Sequence, residues 1–154
     1  MTETVETRLA AMGVTLPPAA APAANYVPWC FSGKLLFTAG QLPMDAGKLA
    51  ATGLLGRDLD TAAGKAAARL CAVNVLAQAK AATADLERIA RLVKITVFVA
   101  STADFTEQHL VANGASDLLA EALGDRGRHA RSAVGVASLP LNAPVEVEAV
   151  FEIA

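Results

Sequence analysis

The chain ends with HARSAVGVASLPLNAPVEVEAVFEIA, residues His129–Ala154, and this stretch decides the expected fold. A β-like run beside Arg131 is broken at Leu139–Pro144, after which apolar and polar residues alternate. Successive side chains of a strand point to opposite faces. One face then holds five apolar residues, Val145, Val147, Ala149, Phe151 and Ile153, and the other holds Glu146, Glu148 and Glu152. The pattern predicts two strands, the second with one buried face and one polar face.

Arg131 and the glutamates of the final strand form the densest group of chemically useful side chains in the sequence. An arginine can bind a carboxylate through two parallel hydrogen bonds, although many arginines simply pair with a nearby Asp or Glu at the surface. A glutamate in a cleft acquires a raised pKa that suits proton transfer, although three glutamates on one face also suit a solvated surface. From the residues alone, both interpretations stay open.

Strand geometry restricts how these groups can combine. If the run at Arg131 folded directly onto Val145–Ile153 as a hairpin, Arg131 would lie near Glu152 and not near Glu146. A site that uses both Arg131 and Glu146 therefore requires another strand order or residues from a second subunit.

The bulk composition indicates one globular domain. The chain has 154 residues, of which 54% are hydrophobic and 18% are charged, and this excludes a disordered protein. Much of the apolar content is alanine, which suits closely packed helices and is compatible with apolar surface covered by a partner subunit. A net charge of -2 provides no basic field for nucleic acid or an anionic membrane, so neither is an expected partner.

The N-terminal residues, the cysteines and the histidines favour a cytoplasmic protein without a metal site. The first residues, MTETVETRLAAMG, lack the basic region and apolar core of a secretory signal, and no apolar run reaches the roughly 20 residues of a membrane-spanning helix. Cys30 and Cys71 lie far apart and are expected to be free thiols, with a disulfide left open. His109 and His129 lack metal-ligand spacing, and the basic cluster GDRGRHAR around His129 is more typical of a solvated loop than of an anion site.

The N-terminal part precedes the predicted main domain. Thr2–Gly13 has the apolar spacing of a short helix, for which Gly13 is a suitable stop. A connector rich in proline and alanine follows, and proline lacks the backbone donor that regular structure needs. We therefore divide the chain into residues 1–25, a helix and connector, and residues 26–154, the main domain.

Three further segments are predicted to be strands. Tyr26–Phe31 and Lys34–Gly40 flank Ser32-Gly33 and indicate a β-hairpin, followed by an ordered loop with a short strand in residues 41–60. Leu92–Ala100 is β-branched and almost wholly apolar, as in a central strand covered on both faces.

Two segments are predicted to be the main helices. Thr61–Thr83 repeats apolar residues at intervals of three and four. Asp104–Leu123 is expected to begin with a cap at Thr102 or Asp104 and to end at Gly124. The order strand–strand–helix–strand–helix–strand–strand predicts an α+β fold, in which both helices pack on one face of a mixed sheet.

Five segments carry a family resemblance. In chain order they are PAANYV (Pro22–Val27), LLFTAGQLP (Leu35–Pro43), VKITVFVASTADF (Val93–Phe105), ARSAV (Ala130–Val134) and ASLPLNAPVEVEAV (Ala137–Val150). Together they resemble the RidA/YjgF family of reactive intermediate (imine and enamine) deaminases, also called L-PSP-type endoribonucleases. The N-terminal helix resembles the subgroup of that family with longer chains.

The resemblance implies a fold, an activity and a set of site residues. The fold is a chorismate-mutase-like α+β fold assembled as a homotrimer, with ligand clefts between subunits. The activity is hydrolysis of 2-imino acids, such as those derived from 2-aminoacrylate, to 2-keto acids and ammonia without a cofactor. Arg131 matches the family arginine that binds the substrate carboxylate, and Glu146 matches the glutamate near the attacking water. Tyr26 matches a cleft tyrosine at the subunit boundary, and Gly40 and Ala133 match positions whose backbone faces the ligand.

Three matched positions depart from the family pattern. Ala39 stands in place of a serine, His109 in place of an asparagine of the second helix, and Ala133 in place of a cysteine. The first two changes alter the polarity of the pocket and bear on substrate identity. The change at Ala133 is tolerable where only its backbone is used.

Three functions follow as hypotheses. The first is an imine/enamine deaminase that uses Arg131 and Glu146. The second is an endoribonuclease in which His129 and the neighbouring arginines act on phosphates, which the acidic chain disfavours. The third is a noncatalytic trimer that binds a small carboxylate.

Overall fold

The computed structural model describes residues 2–22 and 24–154, so that Met1 and Ala23, both in the predicted N-terminal part, lie outside it. The α-helices described are α1 (Val5–Ala11), α2 (Thr61–Thr83) and α3 (Gln108–Leu123). The strands described are β1 (Trp29–Ser32), β2 (Leu35–Thr38), β3 (Met44–Asp45), β4 (Lys48–Leu49), β5 (Ile89–Ala100), β6 (Ala130–Val136) and β7 (Val145–Ile153).

Five strands form the main sheet in the order β1-β2-β7-β5-β6, in which only β5 and β6 are parallel neighbours. Every second residue of β7 from Val145 to Ile153 is buried, as the alternation predicts. These side chains share one hydrophobic core with apolar residues of α2 and α3, so both helices cover the same face of the sheet. The predicted α+β fold with a mixed sheet is confirmed. Strands β3 and β4 form a separate ribbon.

Strands β6 and β7 do not pair, although they are consecutive in the sequence. β5 lies between them and pairs in parallel with β6. A parallel pair needs a crossover connection, and α3 provides it. The hairpin that would bring Arg131 beside Glu152 therefore does not occur.

The first hairpin is present, but its turn comes one residue later than predicted. Ser32 pairs with Leu35, so the turn is Gly33-Lys34. Gly33 has φ +59°, which glycine adopts readily at the first position of a two-residue turn. The strands are shorter than predicted, and Pro28, which lacks a backbone donor, immediately precedes β1.

Strand β5 is an interior strand between β7 and β6, but only one of its faces is covered within the chain. Ile95, Val97 and Val99 are fully buried, whereas Phe98 on the other face is only half-buried. The chain itself does not provide the predicted cover on the second face, because both helices pack on the same side. The open face also exposes two apolar side chains, Phe37 at 39% and Val134 at 43%.

Helix α3 begins at Gln108, later than predicted, and has Gly124 as the expected C-cap. The predicted cap at Thr102 or Asp104 is wrong. The Thr102 hydroxyl donates to Asp104 Oδ1 at 2.7 Å in the preceding turn, so these side chains bond to each other.

Glycine sets the distance between α2 and α3. A Cβ atom built on Gly114 of α3 would lie 2.0 Å from the Lys65 carbonyl oxygen of α2, so a larger residue would force the helices apart. The position of α3 matters because this helix also contacts β6.

The predicted N-terminal helix is shorter than expected, but it belongs to the same core. Thr4 caps α1 by accepting from the Thr7 amide, and Val5 and Leu9 are buried in the main hydrophobic cluster. The Val5 amide also donates to Glu87 Oε2 at 2.7 Å. Among the described residues, none of the helices has the length and apolar character needed to cross a membrane.

Candidate functional site

Arg131 lies near the start of β6, at the edge of the main sheet, and its side chain contacts α3. Its Nη1 donates to Asn113 Oδ1 at 2.8 Å and to Ser116 Oγ at 3.2 Å, and its Nη2 donates to the His109 carbonyl at 3.2 Å. All three acceptors are neutral groups. Helix α3 thus orients the guanidinium without neutralising its charge.

The Arg131 guanidinium keeps hydrogen-bonding capacity for a ligand. Of its five N–H donors, Nε–H and one Nη2–H have no protein acceptor in residues 2–22 and 24–154. No carboxylate of the described chain lies within 4.0 Å of it, so the surface ion pair considered from the sequence does not form within the chain. Nε and Nη2 share one edge of the planar group, which suits two parallel hydrogen bonds to a carboxylate.

His129 supports this arrangement through Ser116. Its Nδ1 lies 2.6 Å from the Gly127 carbonyl, which can only accept, so Nδ1 carries a proton. Its Nε2 lies 3.0 Å from Ser116 Oγ, and in a neutral ring Nε2 accepts the serine proton. Ser116 then donates to His129 and accepts from Arg131, so both ring nitrogens of His129 are engaged within the chain.

The arginines near His129 diverge. Arg126 Nη2 pairs with Glu87 Oε1 at 3.0 Å, and Arg126 Nη1 donates to the Ile89 carbonyl at 2.9 Å. Arg128 extends into solvent with 86% of its side chain exposed. These side chains do not converge on an anion site, which agrees with the solvated-loop interpretation of the basic cluster.

Glu146 lies on the face of β7 opposite the core and is half-buried. A Cβ atom built on Gly40 would lie 2.1 Å from Glu146 Oε1, so the absence of a side chain at Gly40 permits this approach. Burial raises the pKa of Glu146, and the charge of Glu148 raises it further. Such a carboxyl group exchanges its proton closer to neutral pH than an exposed glutamate does.

A cavity of about 170 Å³ lies beside Gly40 and is also lined by Tyr26, Ala39 and Leu141. Tyr26 is 52% exposed, so its ring is available at the surface. Leu141 is 71% exposed and has φ +60°. This left-handed conformation costs a residue with a side chain about 1–2 kcal/mol, and such strain is commonly found at ligand sites. The structure thus groups the predicted residues Tyr26, Ala39 and Gly40 with Glu146.

The other predicted residues belong to a second group around Arg131. Ala133, two residues after Arg131 in β6, is partly buried and packs against the core. His109 contributes its backbone carbonyl to Arg131, whereas the residue itself is exposed. The amide of α3 that contacts Arg131 is that of Asn113, one turn beyond His109.

The two groups do not meet within one chain. Arg131 pairs with Ile95 of β5, and Glu146 pairs with Phe98 of the same strand. Because these partners are an odd number of residues apart, the side chains of Arg131 and Glu146 point to opposite faces of the sheet. Two strand spacings and a three-residue offset separate their Cα atoms by about 14 Å. A site that uses both residues therefore needs a second copy of the chain.

Sequence reasoning missed the residues that hold Arg131 in place. Asn113 and Ser116 were not predicted, although His109, Asn113 and Ser116 follow helical spacing and form a polar stripe along one side of the helix. That periodicity was the available signal. Gln78, which is buried in α2, was also missed, although Asn74 lies one helical turn before it and is buried as well.

Comparisons with known proteins cover both groups of residues. The chain matches, over residues 6–153, a family model described as "YjgF/chorismate_mutase-like, putative endoribonuclease". It is 51% identical over 150 residues to Protein TCP17 of Trypanosoma cruzi, covering 97% of this chain and 94% of that protein. The crystal structure of protein Atu1372 of Agrobacterium tumefaciens, whose function is given as unknown, is 58% identical with a TM-score of 0.93, covering 97% of this chain and 92% of that chain. The structure of E. coli TdcF with bound serine is 26% identical with a TM-score of 0.63, covering 99% of this chain and 100% of that chain.

Proposed function

Because the chain belongs to the YjgF/chorismate mutase-like family, we propose that it is a cytoplasmic enzyme that hydrolyses reactive 2-imino acids to 2-keto acids and ammonia. Water adds to the imine carbon, the carbon–nitrogen bond then breaks, and the nitrogen leaves as ammonia after protonation. No cofactor is required, because the imine carbon is already electrophilic. Cys30 and Cys71 are both free, which supports the proposed reducing compartment.

The observation that supports the proposal most directly is the hydrogen bonding of the Arg131 guanidinium. Its guanidinium is oriented by three neutral acceptors, keeps two donors on one edge and has no carboxylate partner in the described chain. This is the arrangement expected of an arginine that binds the carboxylate of a small acid. A held carboxylate fixes the orientation of the imine for attack by water. The related TdcF structure holds serine, which also carries a carboxylate.

Glu146 is the proposed proton-transfer group. Its raised pKa suits a carboxylate that takes a proton from the attacking water and returns one to the departing nitrogen. Its position against Gly40 places it beside the cavity that Tyr26 and Ala39 also line. Ala39 lacks the hydroxyl of the family serine, so the polar groups that line this cavity are backbone groups and the side chains of Tyr26, Gln41 and Gln78.

We place the complete site between subunits of a homotrimer. Arg131 and Glu146 point to opposite faces of one sheet, so each cleft would combine Arg131 of one subunit with Glu146 of the next. The exposed apolar residues of the open sheet face, Phe37 and Val134, support burial against other copies of the chain. A cyclic trimer gives three equivalent clefts of this kind.

The activity can be tested with 2-iminopropanoate generated in situ from alanine by an amino-acid oxidase. We expect the protein to accelerate pyruvate formation beyond the spontaneous rate. Loss of a charge-assisted pair in Arg131→Ala should lower kcat/KM about tenfold to a hundredfold. Arg128→Ala is the matched control, because that side chain is solvated and lies three residues earlier, just before β6. Equal activity of Arg131→Ala and the unsubstituted protein would contradict the proposal.

The same experiment separates the other hypotheses. Thermal stabilisation by pyruvate without turnover, lost in Arg131→Ala, would indicate the noncatalytic carboxylate-binding trimer. The endoribonuclease hypothesis requires His129 as an acid–base group, but both of its ring nitrogens are engaged by Gly127 and Ser116. We therefore propose the deaminase in preference to an RNA-cleaving enzyme.

A further inference from the structure

The cavity beside Gly40 contains a buried amide that the proposed chemistry does not use. Gln78 of α2 is 1% exposed and lines this cavity. Its Nε2 donates to the Ala20 carbonyl at 2.9 Å and to Gln41 Oε1 at 3.4 Å. Both of these oxygens can only accept, so the two ends of the Gln78 amide are distinguished by their partners.

The oxygen end of this amide has no donor. Gln78 Oε1 is buried and receives no hydrogen bond from the described residues. Buried acceptors are normally satisfied, so an exception calls for a partner from outside the chain. Most of the other lining side chains are apolar, Pro22, Pro28, Leu42, Met44 and Leu141 among them. The cavity is therefore mainly apolar, and one of its lining residues, Gln78, has a buried acceptor without a donor.

Gln41 gives the cavity a complementary donor. Its Nε2 donates to the Ala39 carbonyl at 3.1 Å. An amide nitrogen carries two hydrogens, so a second N–H of Gln41 has no protein acceptor among the described residues. Beside the Tyr26 hydroxyl, the lining residues thus have one unpaired acceptor, on Gln78, and one unpaired donor, on Gln41.

We propose that this cavity is the side-chain subsite for the small acid, and that it selects an apolar side chain ending in a neutral hydrogen-bond donor, for which a primary amide is the best probe. The inference rests on the proposed function, because it takes Glu146 to lie beside the reacting carbon. Gly40 lies against Glu146 and also lines the cavity, whereas Glu146 itself is not part of the lining, so we take a side chain on that carbon to reach the cavity past Gly40. A volume of about 170 Å³ far exceeds what a methyl group fills.

Methionine, glutamine and glutamate provide a test with side chains of similar length. Their 2-imino acids are generated by amino-acid oxidases, and kcat/KM is compared with that for 2-iminopropanoate. We expect the methionine-derived imine to exceed 2-iminopropanoate, because its side chain buries apolar surface. The glutamine-derived imine should exceed the methionine-derived one about threefold to tenfold, as one satisfied hydrogen bond predicts. The glutamate-derived imine, whose carboxylate cannot donate, should be the poorest of the three.

Gln78→Met tests the acceptor directly. This substitution keeps the length of the side chain, and we expect it to abolish the preference for the glutamine-derived imine while turnover of the methionine-derived imine persists. The preference is a ratio measured within one variant, so a general loss of folded protein does not affect it. Gln108→Met is the matched control, because this half-buried glutamine of α3 lies outside the cavity. Ala21→Phe, on the exposed connector wall, should disfavour both long imines relative to 2-iminopropanoate.

Failure of the subsite and failure of the proposed function give different results. Turnover of 2-iminopropanoate without any preference among side chains, or a preference that survives Gln78→Met, would overturn the subsite alone. Absence of all turnover would overturn the deaminase, and thermal stabilisation by the corresponding 2-keto acids would then decide the subsite. Stronger stabilisation by the amide-bearing keto acid than by the thioether-bearing one, lost in Gln78→Met, would support the subsite. Equal stabilisation by the two would refute it.

Discussion

Co-expression of two inactive variants tests whether each site combines Arg131 of one subunit with Glu146 of another. Within one chain the two Cα atoms are separated by about 14 Å and the side chains point to opposite faces of the sheet. Arg131→Ala removes the carboxylate contact, and Glu146→Gln removes the group that moves the proton. Alone, Arg131→Ala should lower kcat/KM about tenfold to a hundredfold, and Glu146→Gln should lower it about a hundredfold or more.

A mixed trimer should recover activity because some of its clefts contain neither substitution. With equal, random incorporation, a cleft is intact when its arginine comes from a Glu146→Gln chain and its glutamate comes from an Arg131→Ala chain. In a cyclic trimer that contains both variants, about one cleft in three meets this condition, whichever variant is present twice. The expected activity of the purified mixed trimers is therefore about one third of that of the unsubstituted protein, well above either parent.

The assay is pyruvate formation from 2-iminopropanoate by trimers that carry both variants, purified through two different affinity tags. The control is a mixture of the two separately purified variants under conditions without subunit exchange, which should stay at the level of the parents. Mixed trimers that are no more active than the average of the two parents would refute the assignment of these residues to one inter-subunit site.

Three further predictions concern single side chains. Glu148→Gln removes a like charge that raises the pKa of Glu146. The acid limb of the plot of kcat/KM against pH is expected above 4.5, the ordinary pKa of a glutamate, and it should move to lower pH in this variant. An unchanged acid limb would argue against Glu146 as its origin. Gly114→Ala places a methyl group against the backbone of α2, and chemical denaturation should show a loss of about 1–3 kcal/mol of unfolding free energy; full stability would mean that α3 shifts without cost. Phe37→Asp puts a charge on the open apolar face, and light scattering should show dissociation into smaller species; an intact trimer would exclude this face from the subunit contact.

Local patterns in the sequence were sufficient for much of the fold. The alternation of Val145–Ile153 and the periodicity of Thr61–Thr83 both correspond to the observed elements. These patterns are visible because a strand repeats every two residues and a helix every 3.6, whatever surrounds them. The start of α3 was predicted wrongly because Thr102 and Asp104 bond to each other instead of capping the helix. Whether such a side chain bonds to a neighbouring side chain or to a helix amide leaves no periodic pattern in the sequence.

The geometry of the candidate site depended on contacts between distant segments. The sequence by itself determined that Arg131 and Glu146 belong to two late strands and that Gly40 precedes a polar residue in a loop. Only the tertiary structure decided that β5 separates those strands, that Asn113 and Ser116 hold the guanidinium, and that Glu146 lies against Gly40. Strand order and helix placement depend on how the apolar surfaces of all the elements are buried together. The pattern of any one segment does not contain that information.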